Sequence, residues 1–64
     1  MLNKKIIVIT GGAGLIGQEF VKAVVEQNGI AIIADINKEI GKKVQNKLSK
    51  ELNTNNVDFI KLDI

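Results

Sequence analysis

The chain has 64 residues, of which 45% are hydrophobic, and a formal net charge of +2 in which every positive charge is Lys. A chain this short withdraws only about 60% of its unfolded surface from water, and folds of that size usually lean on a disulfide or a metal. There is no Cys and no His, so the fold must rely on an apolar core, a bound ligand or further structure.

The hydrophobic content is too high for a disordered chain. The Lys residues are scattered over positions 4, 5, 22, 38, 42, 43, 47, 50 and 61, with no Arg, Trp or Tyr among them. A solvated helix face accounts for the loose cluster, and no nucleic-acid partner is expected. No apolar run reaches the roughly 18 residues that span a bilayer, so no membrane role is expected. The apolar run after Lys4-Lys5 breaks at Thr10-Gly11-Gly12, too soon for a secretory signal, which points to a cytoplasmic protein.

Ile6-Ile7-Val8-Ile9-Thr10 is a continuous β-branched run and predicts a strand buried on both faces. Gly11-Gly12-Ala13-Gly14 reads as a turn, followed by a helix to about Asn28. Ile16, Phe20 and Val24 recur every four residues on its expected inner stripe, widened by Val21 and Val25. Glu19 and Glu26 stand close enough to Lys22 for weak helix pairs. Gly29 is expected at the left-handed stop position.

Ile30 to Asp35 predicts a second buried strand ending in an acid. Asn37 caps a second helix, with Glu39 in its first turn and a stripe of Ile40, Val44, Leu48 and Leu52. Gly41 either costs that helix about 1 kcal/mol relative to Ala or permits close packing. After the polar turn 53–56, residues 57–64 predict a third strand, with Val57, Phe59 and either Leu62 or Ile60 facing inward. Right-handed crossovers place three parallel strands in the order 3-2-1 with both helices on one face. The other face would lie bare, so the chain reads as part of a larger doubly wound α/β sheet.

The chemistry-bearing signal is Thr10-Gly11-Gly12-Ala13-Gly14-Leu15-Ile16-Gly17. A strand precedes it, a helix follows, and a second strand ends in an acid, the context in which such glycines bind a dinucleotide. Gly11 permits the tight turn, Gly14 lets bare backbone approach a pyrophosphate, and Gly17 allows close helix packing. The helix start aims unpaired N–H groups at the phosphates, and the hydroxyl of Thr10 borders the loop. Asp35 is suited to accept hydrogen bonds from ribose hydroxyls and to repel a 2′-phosphate, with Ile36 beside it and Lys38 as the nearby base. The expected cofactor is NAD, preferred over NADP. A Walker-type loop is excluded because no Gly-Lys-Ser/Thr follows.

At these residues the chain resembles the short-chain dehydrogenase/reductase family. The resemblance implies that residues 1–64 are the N-terminal half of an NAD(P)-binding Rossmann domain, with the catalytic part absent. It implies that Asp63, ending the third strand, holds the adenine amino group, with the Ile64 backbone beside the ring. The spacing T-G-x-x-G-x-x-G is similar to the extended branch of sugar-nucleotide epimerases and dehydratases. The direct second helix, without a long insertion, is similar to the compact branch of alcohol and carbonyl oxidoreductases. The leaning is towards a compact-type oxidoreductase with an atypical loop, acting on bacterial surface or flagellin sugars. The parent is expected to be a homo-oligomer. The family's catalytic Tyr has no counterpart, since the chain has no Tyr at all. No catalytic residue is assigned, Ser49 included. A non-catalytic dinucleotide-binding module is the third reading.

Overall fold

A computed structural model describes residues 3–11 and 13–62. The elements run β1 (Ile6–Thr10), α1 (Leu15–Glu26), β2 (Ile30–Asp35), α2 (Lys38–Glu51) and β3 (Val57–Lys61). The strands form one parallel sheet in the order β1-β2-β3. Val8 pairs with Ile32, and Ile33 with Phe59, so alternate residues of all three strands share a face.

The core lies on one face only. Ala31 and Ile33 of β2 and Val57 of β3 pack beneath Val21 of α1 and Val44 and Leu48 of α2. Burying a Leu or Ile side chain fully contributes about 1.5–3 kcal/mol, and Ile33, Leu48 and Val21 are the largest side chains fully removed from water. The expectation that β1 is buried on both faces does not hold. Ile6 is 63% and Val8 53% exposed, and Ile60 of β3 joins them on the bare side at 46%. A continuous β-branched run reports a strand's tolerance for burial, and what covers it is decided elsewhere in the fold.

Each helix turns most of its expected stripe inward, Val21, Val24 and Val25 on α1 and Val44, Leu48 and Leu52 on α2, but leaves the large residues of its first turns outside. On α1 the buried residues are Gly17 and Val21, with Val24 and Val25 packed beside them, while Ile16 and Phe20 face outward. On α2 they are Gly41, Val44 and Leu48, and Ile40 is exposed. In each case the inner stripe begins at a glycine one position after the large aliphatic residue. At Gly41 the reason is explicit. A Cβ there would run into the Phe59 ring, with Cδ1 only 2.6 Å away. Phe59 is thereby half-buried and turned inward, whereas Ile60 points to the bare face.

Both helices stop in the same way. Gly29 N–H donates to the Val24 carbonyl and Asn28 N–H to that of Val25, with Asn28 left-handed at φ 66°. The left-handed position is therefore Asn28, one residue before the expected Gly29. Thr54 N–H to Ser49 O and Asn53 N–H to Lys50 O repeat the motif, with Asn53 at φ 50°. The start of α2 is capped as expected, Asn37 Oδ1 accepting from Ile40 N–H at 3.1 Å with Glu39 in the first turn.

Two rungs tie the helices side by side. Lys22 Nζ lies 3.3 Å from Glu51 and 3.4 Å from Glu19, and Lys47 Nζ lies 3.5 Å from Gln18 Oε1. Among the described residues Glu26 makes no such pair. Hydrogen bonds that Lys22 donates to Glu51 and then Glu19, reinforced by their charges, hold the Lys22 ammonium above its ordinary 10.5. A pKa raised on folding contributes stability that is fully present below 10.5 and is lost as the pH climbs through the raised value. In Lys22→Met, the fall of stability with pH above that point should be shallower than in wild type. Gly41→Ala should cost about 1–3 kcal/mol in denaturant melts, because the Phe59 ring must move, and Phe59→Leu in the same chain should recover part of it.

Candidate functional site

The site begins where β1 hands over to α1. Gly11 N–H donates to the Ala34 carbonyl at 2.8 Å, which carries the sheet pairing one step past Thr10. Gly11 then turns at φ +67°, a left-handed conformation that costs a residue with a Cβ about 1–2 kcal/mol. An added Cβ there would meet nothing within 4 Å, so the glycine serves the backbone angle and not a crowded space. Gly14 N–H closes the turn onto the Gly11 carbonyl at 3.0 Å. Thr10 is exposed at the strand end and Ala13 is half-buried. Gly12 lies outside the described residues.

Gly14 is the N-cap of α1, with φ −76° and ψ 169°. Any residue adopts that conformation, and a Cβ would touch only the Gly11 carbonyl, at an ordinary 3.5 Å. The local fold therefore does not require glycine at position 14. With no side chain at the cap and no acid in the first turn, the opening N–H groups of Leu15, Ile16 and Gly17 receive no side-chain acceptor among the described residues. The contrast with α2 is internal to the molecule. That helix start is capped by Asn37 and faced by Glu39, whereas α1 keeps its donors and the positive end of its dipole unanswered. Leu15 and Ile16 are exposed there and Gly17 is buried against the sheet.

Asp35 stands one residue beyond Ala34, at the carboxyl end of β2 and beside the glycine turn. It lies on the helix-bearing face with Ile33. Its Oδ1 accepts from Asn37 N–H at 3.0 Å, which fixes the carboxylate and leaves Oδ2 without a partner among the described residues. Its own carbonyl accepts from Leu62 N–H at 2.9 Å, holding the start of the segment that leads to Asp63 and Ile64. Those two residues lie outside the described ones. Ile36 is 58% exposed and lines a shallow hollow with Asn37, Lys38, Glu39 and Lys61. Lys38 is not the sole base near Asp35, because β3 brings Lys61 into register directly beside it. The sequence separation of 26 residues hid that neighbour, and only the strand pairing reveals it. Among the described residues neither lysine forms an ion pair with Asp35.

The structure thus brings Thr10, Gly11, Ala13, Gly14, Leu15, Ile16 and Gly17 together at one strand-to-helix junction, with Asp35 on the adjacent strand end. The sequence reading missed Gln18, whose side-chain amide donates to the Ala13 carbonyl at 3.0 Å. Its position directly after the last glycine was the available signal. Among the described residues no group of acidic side chains is arranged to hold a metal, and no helix is long and apolar enough to cross a membrane.

No family model matches the chain. Over 56 residues, covering 81% of it, the chain is 39% identical to a post-translational flagellin modification protein A of Campylobacter coli. The match covers 22% of that relative, so the chain spans about a fifth of its length.

Substitution should separate the two glycines. Gly11→Ala should lower stability by about 1–2 kcal/mol in denaturant melts, the cost of the left-handed angle. Gly14→Ala should leave stability unchanged or raise it by up to about 1 kcal/mol, because the angle suits Ala and the unfolded chain becomes less free.

Proposed function

We propose that this chain is the adenosine- and pyrophosphate-holding part of an NAD-dependent oxidoreductase of the short-chain dehydrogenase/reductase type, a Rossmann β-α-β-α-β unit within a doubly wound sheet. The observation that carries the reading is the uncapped start of α1 behind a left-handed glycine, with a half-satisfied carboxylate on the next strand end. The donor set fits a dinucleotide. Backbone N–H groups at a helix start suit a pyrophosphate. The unpartnered Oδ2 of Asp35 suits a ribose hydroxyl. Gly14 has a further reason in this reading, since its missing Cβ leaves room for a phosphate where the fold alone would accept Ala.

When bound, NAD supplies the hydride chemistry. The chain's own residues hold and orient it. The first turn of α1 offsets the phosphate charge, Gly14 permits the approach, and Asp35 fixes the ribose. A 2′-phosphate would bring negative charge against Asp35, while Lys61 beside it and Lys38 in the adjoining hollow would soften that repulsion. The proposed preference for NAD is therefore modest. Asp63 and Ile64 are proposed to meet the adenine. The substrate is a small alcohol, carbonyl or sugar nucleotide, and the likeness to a flagellin modification protein supports a sugar destined for a bacterial surface protein. The spacing of Gly11, Gly14 and Gly17 favours a second reading, an epimerase or dehydratase that keeps its NAD bound. The proposed parent works in the cytoplasm as a homo-oligomer.

Calorimetric titration of the full-length protein should give tighter binding of NAD than of NADP by about tenfold, a difference of about 1.4 kcal/mol. Asp35→Asn should shrink that ratio, and Gly14→Ala should weaken both cofactors by about tenfold or more. Tighter binding of NADP, or a Gly14→Ala protein that binds NAD normally, would overturn the reading.

A further inference from the structure

The glycine turn contains carbonyl groups as well as donors, and a carbonyl oxygen turned towards an anion repels it. Three carbonyls of the turn are described, and each is already claimed from within the fold. Gly11 O accepts from Gly14 N–H at 3.0 Å. Gly14 O accepts from the backbone N–H of Gln18 at 2.9 Å. Ala13 O accepts from the side-chain Nε2 of Gln18 at 3.0 Å. One residue therefore claims two of the three. The Gln18 amide is held in turn by α2, since Lys47 Nζ donates to its Oε1 at 3.5 Å and leaves Nε2 facing the turn. Asn and Gln amides can be satisfied in either orientation, so a cation on the oxygen side selects the one that donates to Ala13.

We infer that Gln18 is a positioning residue for pyrophosphate binding. By holding the Ala13 carbonyl on the helix side, it keeps that oxygen from facing the ligand. The same peptide is held at its other end by Gly14 N–H donating to Gly11 O, and Gln18 supplies the second restraint in an exposed turn. The bond to Ala13 carries the effect. The exposed contact with Lys47 only orients the amide.

This inference rests on the dinucleotide reading, and the test keeps the two apart. The full-length protein is titrated with NAD and, separately, with adenosine, which has no phosphate. Gln18→Met keeps the length and neutrality of the side chain but removes the donor. It should raise the NAD dissociation constant about tenfold, leave the adenosine constant within about twofold, and barely move the thermal midpoint. In carbonyl-labelled protein the Ala13 13C resonance should shift as its hydrogen bond is lost. Gln18→Glu keeps and strengthens the contact with Lys47 and is the second variant should Met disturb the fold. Its loss of NAD affinity should persist at high salt, where the added charge is screened. Wild-type NAD affinity in both variants would overturn the role of Gln18 while leaving the dinucleotide reading intact. Equal weakening of NAD and adenosine would also overturn it, since a merely structural brace acts that way. A wild-type protein that binds no NAD at millimolar concentration would overturn both.

Discussion

The burial of β2 beneath two helices is the constraint on which everything else depends. Ala31 and Ile33 lose all contact with water because Val21 of α1 and Val44 and Leu48 of α2 close over them. That packing aligns the two helices, and their alignment places both helix starts at the carboxyl end of the sheet. A parallel strand pair needs a crossover of this kind, so each helix must begin where a strand has just ended. The junction after β1 and the strand end at Asp35 are therefore neighbours by construction.

Within that frame the two helix starts have been treated differently by the sequence. The start of α2 is consumed by its own residues, Asn37 and Glu39. The start of α1 is left as bare backbone, and its carbonyls are drawn away by Gln18 and by the turn itself. An unanswered helix start is a local defect in stability, worth about 0.5–2 kcal/mol when a capping side chain is missing. The proposed dinucleotide would answer those N–H groups with phosphate, and the adjacent Asp35 carboxylate would answer its hydroxyls.

The bare face of the sheet is the other place where local satisfaction is incomplete. Ile6, Val8 and Ile60 are exposed together on that face. Ile16 and Phe20 of α1 are likewise apolar and exposed. These are the same residues whose spacing suggested burial. Their composition matches an interior that residues 3–62, so far as they are described, do not supply.

The sequence by itself determined the alternation of strands and helices, the cap of α2, and the glycine junction between β1 and α1. Those features are written in short-range patterns: β-branched runs, Asn37 before its helix, and glycines between a strand and a helix. The strand ends at Thr10 and Asp35 were legible for the same reason. Only the tertiary structure decided that Ile16, Phe20 and Ile40 stay outside, because a stripe one position over also satisfies a 3.6-residue period, and at Gly41 the Phe59 ring requires the glycine on the inner side. It alone brought Lys61 beside Asp35, which depends on strand register, and set Gln18 against Ala13, which depends on how a turn folds back on its helix. It also gave Gly11 and Gly14 different reasons to be glycine, since a backbone angle and an open approach look identical in one-letter code.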